Sequence, residues 1–162
     1  MIETPLFIIN THGHADHIGC NFAFHLPIYI HEGDASFLSD PYLNLSSLFG
    51  QECVSPPAAK LLKHGDAIAF GKKSIDVIHT PGHTPGSICL KIDSCLFSGD
   101  TLFQGSIGRT DFPYSDSRLI VASIKEQLMH FFDSCRVYPG HGPESVLGWE
   151  KQHNFYLSSE MQ

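Results

Sequence analysis

The stretch THGHADHIGC, near the start of the chain, places three histidines and one aspartate within six positions. His12 and His14 follow the apolar run Leu6–Ile9 and alternate on an extended segment, so both imidazoles are expected to point to one side. Asp16 continues this alternation, and His17 is expected to turn the other way at the start of a helix. The cluster can therefore serve two adjacent metal ions.

Three later segments offer further metal ligands. In HTPGHTPGS, His83 lies between two Pro-Gly turns that fix the backbone around it. In LFSGDTLF, Asp100 follows the end of a strand, and in YPGHGP, His141 lies between glycines after another strand. Such strand ends are where ligands gather in α/β folds. His79, at the end of a β-run, is expected to make a structural hydrogen bond instead of binding metal.

Five histidines and two aspartates are too many ligands for one ion, because a single catalytic zinc takes about three protein ligands and one water. Two ions that share a carboxylate would use all seven. A donor set of nitrogen and oxygen without thiolate suits zinc, with iron or manganese as alternatives. A water held between two such ions loses its proton near neutral pH and becomes a nucleophile. The spacing thus predicts a two-metal hydrolytic site.

The elements that position these residues can be read from the hydrophobic pattern. Short strands are expected over Leu6–Ile9 and Pro27–His31, a helix over Glu32–Leu38, and irregular structure through the proline-interrupted segment that follows. AIAFGKKSIDVIHT and SICLKIDSCLFSGD each predict a pair of strands around a turn. A helix capped by Asp116 or Ser117 follows, then a strand in RVYPGHGP and a final helix over ESVLGWEKQHNFYL. This order predicts a layered α/β domain.

Composition narrows the function classes. The chain has 162 residues, of which 42% are apolar and 17% charged, so residues 1–162 are expected to form a single domain. A net charge of −7 and only ten Lys and Arg argue against a nucleic-acid partner. Five cysteines without a CxxC pair predict neither a disulfide framework nor a thiolate zinc site, and favour a reducing, cytoplasmic setting. No signal sequence or membrane span is recognised, so a soluble protein without membrane contact is expected.

These motifs, in this order, resemble the metallo-β-lactamase superfamily over nearly the whole chain, which implies an αββα four-layer sandwich. GSIGRTDFPYSD and YPGHGPES resemble, within it, the compact glyoxalase II-like hydrolases, which implies cleavage of a thioester such as S-lactoylglutathione. The resemblance assigns the ligands as follows: His12, His14 and His83 to the first metal, Asp16, His17 and His141 to the second, and Asp100 as the carboxylate that bridges them.

The implied mechanism is attack of a metal-bridged hydroxide on the thioester carbonyl, with the metals stabilising the oxyanion. Asp16 and Asp100 are the catalytic candidates, and Asp16 has the second task of steering the water or receiving a proton. In GRTD, Arg109 and Asp111 are expected first to brace a loop and second to contact the substrate. Cys20 is expected to be a small buried helix residue and not a nucleophile.

The chain differs from the family both before the first motif and after the last one. Only a short segment precedes the first motif, so the chain is expected to be truncated at its N-terminus, with strands of the first sheet missing. The larger glyoxalase II enzymes carry an extra C-terminal helical domain that binds glutathione. Strong glutathione selectivity is therefore not expected here, and the sequence assigns neither the physiological acyl group nor the oligomeric state.

Five alternatives differ in how well the sequence supports them. A mononuclear iron persulfide dioxygenase would use His12, His83 and Asp100, and it shares the GRTDF segment. Hydrolysis of a lactone is a second alternative. A β-lactamase is less favoured, because Asp100 stands where many of those enzymes have cysteine, and a nuclease is disfavoured by the acidic charge. From another class, the chain could be an inactive truncated metal-binding fragment.

Overall fold

A small parallel sheet forms the N-terminal part of the computed structural model, which describes residues 5–158. Its strands are β1 (Ile8–Ile9), β2 (Ile28–His31) and β3 (Lys60–Leu62), in the order β1-β2-β3. β1 and β3 are the edge strands of this sheet. The first histidine motif follows directly after β1, so the sheet fixes where that motif begins.

A second sheet contains six strands and is mostly antiparallel. Its first four strands are β4 (Ala67–Phe70), β5 (Lys73–His79), β6 (Ile88–Ile92) and β7 (Cys95–Gly99), which form the two expected strand pairs. The short ribbon of β8 (Leu102–Phe103) and β9 (Ser106–Ile107) follows, and then come β10 (Arg136–Pro139) and β11 (Ser145–Val146). The order is β11-β10-β7-β6-β5-β4, in which only β10 and β7 pair in parallel.

The helices are short except for one. They are α1 (Ala15–Ile18), α2 (Asn21–Phe24), α3 (Ser117–Gln127) and α4 (Leu147–His153), with 3-10 helices at Glu32–Leu38, Ser46–Phe49 and Phe155–Leu157. Asp116 caps α3, since its Oδ1 accepts hydrogen bonds from the backbone N–H groups of Arg118 and Leu119 at 2.8 and 2.9 Å. Among residues 5–158, no helix is both long and apolar enough to cross a bilayer.

Both faces of the six-stranded sheet are buried, because apolar residues occur at successive positions along its central strands. In β5, Val77 packs between the two sheets, whereas Ile78 packs against the helical side. α3 covers that helical side with Ile120 and Ile124. On the far side of the small sheet, Ile18 of α1 packs against β2. The layers are therefore helix, sheet, sheet, helix, as the αββα expectation requires.

Glu150 of α4 anchors the C-terminal part of the chain. Its fully buried carboxylate accepts hydrogen bonds from the backbone N–H of Gly105 at 3.0 Å, from Asn154 Nδ2 at 2.8 Å and from the Ser145 hydroxyl. These bonds join α4 to the loop before β9 and to β11. The loop that leads into the Arg109 segment is thereby held in place.

Two expectations about secondary structure were wrong in extent, and a third helix has the expected bounds but another type. The first strand covers only Ile8–Ile9, and Leu6 is 76% exposed. The segment Glu32–Leu38 is a 3-10 helix, because Gly33 and Asp34 are poor α-helix formers and the Asp34 side chain is held by other loops. The final helix covers only Leu147–His153, since β11 pairs with β10 before it.

Cys20 was also placed wrongly. It was expected to be buried in a helix, but it is exposed at the junction of α1 and α2, where the chain turns at the surface. The neighbouring Phe22 and Phe24 are exposed as well. All five cysteines are free.

Candidate metal centre

His12, His14 and His83 form the first half of the centre. One ligand nitrogen from each lies within 4.8 Å of the other two, and all three side chains are buried. His14 Nδ1 is 2.9 Å from His83 Nε2, although two imidazole nitrogens gain little from facing each other. His12 Nε2 is buried without any hydrogen-bond partner. This convergence of lone pairs is what a cation would satisfy.

Hydrogen bonds on the opposite ring nitrogens orient this group. His83 Nδ1 lies 2.8 Å from the carbonyl oxygen of Arg109, and a carbonyl can only accept, so Nδ1 carries the proton and Nε2 the lone pair. His12 Nδ1 lies 3.3 Å from the Thr11 hydroxyl. Such bonds set the tautomer and ring orientation of a metal-binding histidine.

Burial keeps the imidazoles of His12 and His14 neutral. It lowers the pKa of His12 well below its usual range, and the other histidines nearby add to this effect. Burial, together with His83, lowers the pKa of His14 to about 4. The neutral imidazole is the form that binds metal, so the site needs little proton release at neutral pH.

Asp16, His17 and His141 form the second half. His17 Nε2 and His141 Nε2 are 3.2 Å apart, and Asp16 Oδ2 lies 3.0 Å from His141 Nε2 and 3.7 Å from His17 Nε2. Asp16 and His17 lie in α1, so the extended alternation expected through Asp16 stops at His14. His141 comes from the loop after β10 and is more exposed than the first three histidines.

Asp100, at the end of β7, lies between the two halves. Its Oδ2 is 3.6 Å from His83 Nε2 and 3.5 Å from His141 Nε2, and its Oδ1 is 3.3 Å from His17 Nε2. Oδ1 is buried and lacks a well-aligned hydrogen bond. This is the position that a carboxylate shared by two cations would occupy.

In the second half, Asp100 and His17 each shift the pKa of the other toward its charged form. Burial alone would raise the pKa of Asp100, but His17, with His83 and His141, holds it below its ordinary value. Burial would lower the pKa of His17, whereas Asp100 and Asp16 together raise it. The centre therefore joins neutral His12 and His14 on one side to a half that contains the carboxylate of Asp16 on the other.

The donor set fits two divalent cations. All seven side chains offer nitrogen or oxygen, and two of them present buried ligand atoms without a partner, His12 Nε2 and Asp100 Oδ1. Each half alone provides three donors, the number that catalytic zinc sites commonly use. The geometry does not choose among zinc, iron and manganese.

Asp34, which sequence reasoning did not single out, holds two of the ligand loops together. Its fully buried carboxylate accepts hydrogen bonds from Gly13 N at 2.8 Å, Thr84 Oγ1 at 2.7 Å and Gly86 N at 2.6 Å. Gly13 lies between two ligands, and Thr84 follows His83. Burial raises the pKa of Asp34, while its three hydrogen bonds act in the opposite direction.

The backbone at Gly140 packs so closely against the metal centre that there is no room for a side chain. A Cβ at this position would overlap Asp100 Oδ1 and would lie 2.7 Å from His17 Cε1. The glycines that flank His141 were visible in the sequence, but this close approach depends on β10 lying beside β7. Gly140 therefore allows the second half to close.

A cavity of about 540 Å³ opens onto the metal centre. Its wall combines the ligands His14, Asp16, His83, Asp100 and His141 with mostly apolar side chains, namely Leu45, Phe49, Phe103, Ile107 and Phe112. Such a concave, mainly apolar pocket with convergent polar groups is typical of a small-molecule site.

Arg109 lines this cavity, whereas Asp111 does not. The two form a bidentate ion pair, with Arg109 Nε to Asp111 Oδ1 and Nη2 to Oδ2 both at 2.7 Å. The guanidinium also lies 4.0 Å from the Phe112 ring centre. Arg109 lowers the pKa of Asp111 to about 2. Asp111 thus braces the loop, and only Arg109 is placed to meet a substrate.

The other histidines lie outside this arrangement. His79 stacks on His31 with ring centres 3.9 Å apart, and its Nε2 lies 2.8 Å from the Pro85 carbonyl oxygen, in the structural role expected for it. In the part of the chain that the structure describes, no group of metal-binding geometry includes any of these residues: His25, His31, His64, His79, His130 and His153.

Two relatives of known sequence are similar to this chain over most of its length. "Probable metallo-hydrolase YqgX" of Bacillus subtilis is 36% identical, over 96% of this chain and 77% of its own length. "Hydroxyacylglutathione hydrolase GloC" of Haemophilus influenzae is 32% identical, over 94% of this chain and 76% of its own length.

Solved structures show the same fold. The B3 metallo-beta-lactamase BLEG-1 has 41% identity and a TM-score of 0.89, over 96% of this chain and 78% of its own. TTHA1623, solved in a di-iron-bound form, has 37% identity and a TM-score of 0.83, over 94% of this chain and 78% of its own. ETHE1 from Myxococcus xanthus has 28% identity and a TM-score of 0.77, over 95% of this chain and 63% of its own. Residues 1–141 match the metallo-beta-lactamase superfamily, and the chain belongs to it.

Proposed function

We propose that this metallo-hydrolase cleaves the thioester of a small 2-hydroxy acid, such as S-lactoylglutathione, at a two-metal site. The observation that carries the proposal is the position of Asp100 between two sets of three donors, at the floor of a cavity of small-molecule size. The relative named hydroxyacylglutathione hydrolase supports the choice of a thioester. Zinc is the proposed metal, with iron as the alternative that the di-iron neighbour suggests.

The proposed metal-binding roles are supported by the distances between the donor atoms. His12, His14 and His83 would hold the first ion, Asp16, His17 and His141 the second, and Asp100 both. When bound, two divalent cations lower the pKa of a shared water and stabilise negative charge on a carbonyl oxygen. The protein contributes fixed ligand positions, because Asp34 and the Arg109 carbonyl hold the loops that carry the ligands.

Asp16 is the proposed proton carrier. Water adds its oxygen to the thioester carbon, the carbon–sulfur bond breaks, and the products are a carboxylic acid and a thiol. One proton must move from the attacking water to the departing sulfur. The Asp16 carboxylate is half exposed and faces the cavity, so it can accept that proton and return it.

The cavity wall accounts for the size and polarity of the proposed substrate. Phe49, Phe103 and Phe112 enclose the space above the metal centre, and Arg109, in its ion pair with Asp111, lies at the rim. We propose a small-molecule partner, and the net charge of −7 disfavours a nucleic acid. The five free cysteines favour a reducing compartment, which we propose to be the cytoplasm.

Turnover of S-lactoylglutathione by the metal-loaded protein tests the proposal. We expect hydrolysis that is lost in His83→Ala and reduced in Asp16→Asn, with Lys72→Gln, outside the cavity, as the matched surface control. A protein that binds two metals yet releases no thiol from S-lactoylglutathione or another 2-hydroxyacyl thioester would refute the function. Loss of activity in Lys72→Gln as well would refute the role of the site.

β-Lactam hydrolysis is the second candidate, because a structure at 41% identity is named a B3 metallo-beta-lactamase. Both reactions begin with attack of water on a strained or activated carbonyl carbon. A chromogenic cephalosporin assayed beside S-lactoylglutathione separates them. We expect the thioester to have the larger kcat/KM, and the opposite ranking would favour the lactamase.

A persulfide dioxygenase is a third candidate, because the neighbour ETHE1 has 28% identity to this chain. This reaction would need one iron and oxygen, whereas His17 and His141 complete a second set of donors here. Oxygen uptake by the iron-loaded protein with glutathione persulfide would decide for this candidate. We expect none above background.

A further inference from the structure

A second cavity, of about 730 Å³, lies beside the first, between α3 and the loop that carries Arg109. Its wall contains three of the ten Lys and Arg residues of the chain and none of its seventeen Asp and Glu residues. The three cations are Arg109, Arg118 and Lys125. In a protein of net charge −7, the side chains on the wall of this cavity are thus positive or uncharged.

Arg118 and Lys125 provide the available charge. They are seven positions apart on α3 and therefore lie on the same face of the helix. Both side chains are exposed, and within residues 5–158 neither forms an ion pair. Arg109, by contrast, is neutralised by Asp111. An anion in this cavity would thus meet two cations without an acidic competitor on the wall.

The two cavities share a wall. Ser106, Ile107 and Arg109 line both of them. A molecule whose reacting bond lies above Asp100 would have to cross this strip to reach the second cavity. Hydroxyl groups of Thr110, Ser117 and Tyr156 add hydrogen-bond donors there, and Val121 provides an apolar contact for a carrier chain.

We propose that Arg118 and Lys125 form a subsite for the anionic part of the thiol carrier of the substrate. This inference rests on the proposed thioester hydrolysis and deepens it. The acyl group would lie at the metal centre, and carboxylates or phosphates of the carrier would lie on α3. A peptide thiol supplies carboxylates and a nucleotide thiol supplies phosphates, and both chemistries suit paired cations.

The test uses three thioesters with the same acyl group. S-Lactoylglutathione carries carboxylates, S-lactoyl-coenzyme A carries phosphates, and S-lactoyl-N-acetylcysteamine carries no charge on its thiol part. The wild type is compared with R118Q/K125Q, with the charge-conserving R118K/K125R, and with Lys72→Gln, an exposed lysine that lines neither cavity. The readout is the ratio of kcat/KM for each anionic carrier to kcat/KM for the neutral one.

We expect R118Q/K125Q to lower this ratio about three- to tenfold for at least one anionic carrier, mainly through KM, since exposed ion pairs contribute modestly. R118K/K125R should keep the ratio within about twofold. Raising the salt concentration should shrink the difference between wild type and R118Q/K125Q. A fall only for glutathione identifies carboxylates as the ligand, and a fall only for coenzyme A identifies phosphates.

The outcomes separate this inference from the function on which it rests. If the wild type hydrolyses the neutral thioester and R118Q/K125Q leaves both ratios unchanged, the subsite is wrong while the thioester hydrolase stands. If the ratio falls equally in Lys72→Gln, the effect is one of net charge and the subsite is again refuted. If no thioester is hydrolysed by the wild type, the proposed function fails and the subsite falls with it.

Discussion

Replacing Asp34 with asparagine should loosen the metal centre without touching a ligand. Asp34 accepts three hydrogen bonds, from Gly13, Thr84 and Gly86, within a fully buried site. Asparagine has one acceptor oxygen, and its amide would direct N–H bonds toward at least one of the two backbone N–H donors. The loop that contains Gly13 and the loop that contains Thr84 and Gly86 would then no longer be held together by one carboxylate.

The magnitude follows from the bonds lost. A hydrogen bond to a charged group contributes about 1.5–3 kcal/mol, and a buried donor left without an acceptor costs about 1–3 kcal/mol. The Thr84 hydroxyl can rotate and accept from the new amide, so its loss is partly recovered. We therefore expect Asp34→Asn to lower the free energy of unfolding by about 2–4 kcal/mol. Thr84→Val, which removes one of the three donors, should cost less.

Chemical denaturation of the metal-free protein measures this directly, and Asp76→Asn, an exposed aspartate of β5, is the matched control. A metal titration of the same variants should show weaker binding in Asp34→Asn by about 10- to 100-fold. An unfolding free energy within about 0.5 kcal/mol of wild type, the range of ordinary surface substitutions, would refute the anchoring role of Asp34.

Three further substitutions test other contacts. Gly140→Ala should weaken second-site metal binding about 10- to 100-fold, because its Cβ would displace Asp100. Glu150→Gln should lower the free energy of unfolding by roughly 1–3 kcal/mol, because one of its three buried donors loses its acceptor. His31→Asn should flatten the fall of Tm at acid pH, since burial against His79 lowers the pKa of His31 to about 4.

The sign of the last effect follows from proton linkage. The folded-state pKa of His31 lies below its ordinary value of 6.5, so the neutral form is favoured in the fold. Its contribution to stability is complete above pH 6.5 and is lost as the pH falls toward about 4. His79 and His64 oppose a positive charge on this ring, whereas Glu32 and Asp66 favour it. Asparagine keeps the N-cap acceptor and removes the titration.

Each of these expectations has a contrary result. Elemental analysis of Gly140→Ala that finds wild-type metal content would show that the second half tolerates the extra carbon. A denaturation midpoint for Glu150→Gln equal to that of wild type would remove its anchoring role. Parallel curves of Tm against pH for His31→Asn and wild type would assign the acid sensitivity to other groups.

The elements that were predictable from the sequence are those with strong local signals. The two strand pairs over residues 67–79 and 88–99 follow from alternation and turn residues, and α3 follows from its apolar spacing and the Asp116 cap. The boundaries were wrong where a tertiary contact decides them. Ser145–Val146 joins the sheet because β10 offers an edge, and nothing local distinguishes it from the helix that follows.

The residues of the candidate site were likewise predictable only where a local sequence signal marks them. His83, Asp100 and His141 are marked by the turns and glycines around them, so their proximity could be predicted from where strands end. Asp34 could not be singled out, because its role depends on two loops that are distant in sequence and meet only in the fold. The charge pattern of the second cavity likewise appears only when α3 packs beside the Arg109 loop.

Metal stoichiometry tests the central claim most directly. Elemental analysis of the purified, metal-loaded protein should give two divalent ions per chain, and His141→Ala should retain about one, because the first set of donors stays intact. His83→Ala should lose the first-site ion and the hydrolysis of S-lactoylglutathione with it. One ion per chain in the wild type, with the same content in His141→Ala, would contradict a two-metal centre.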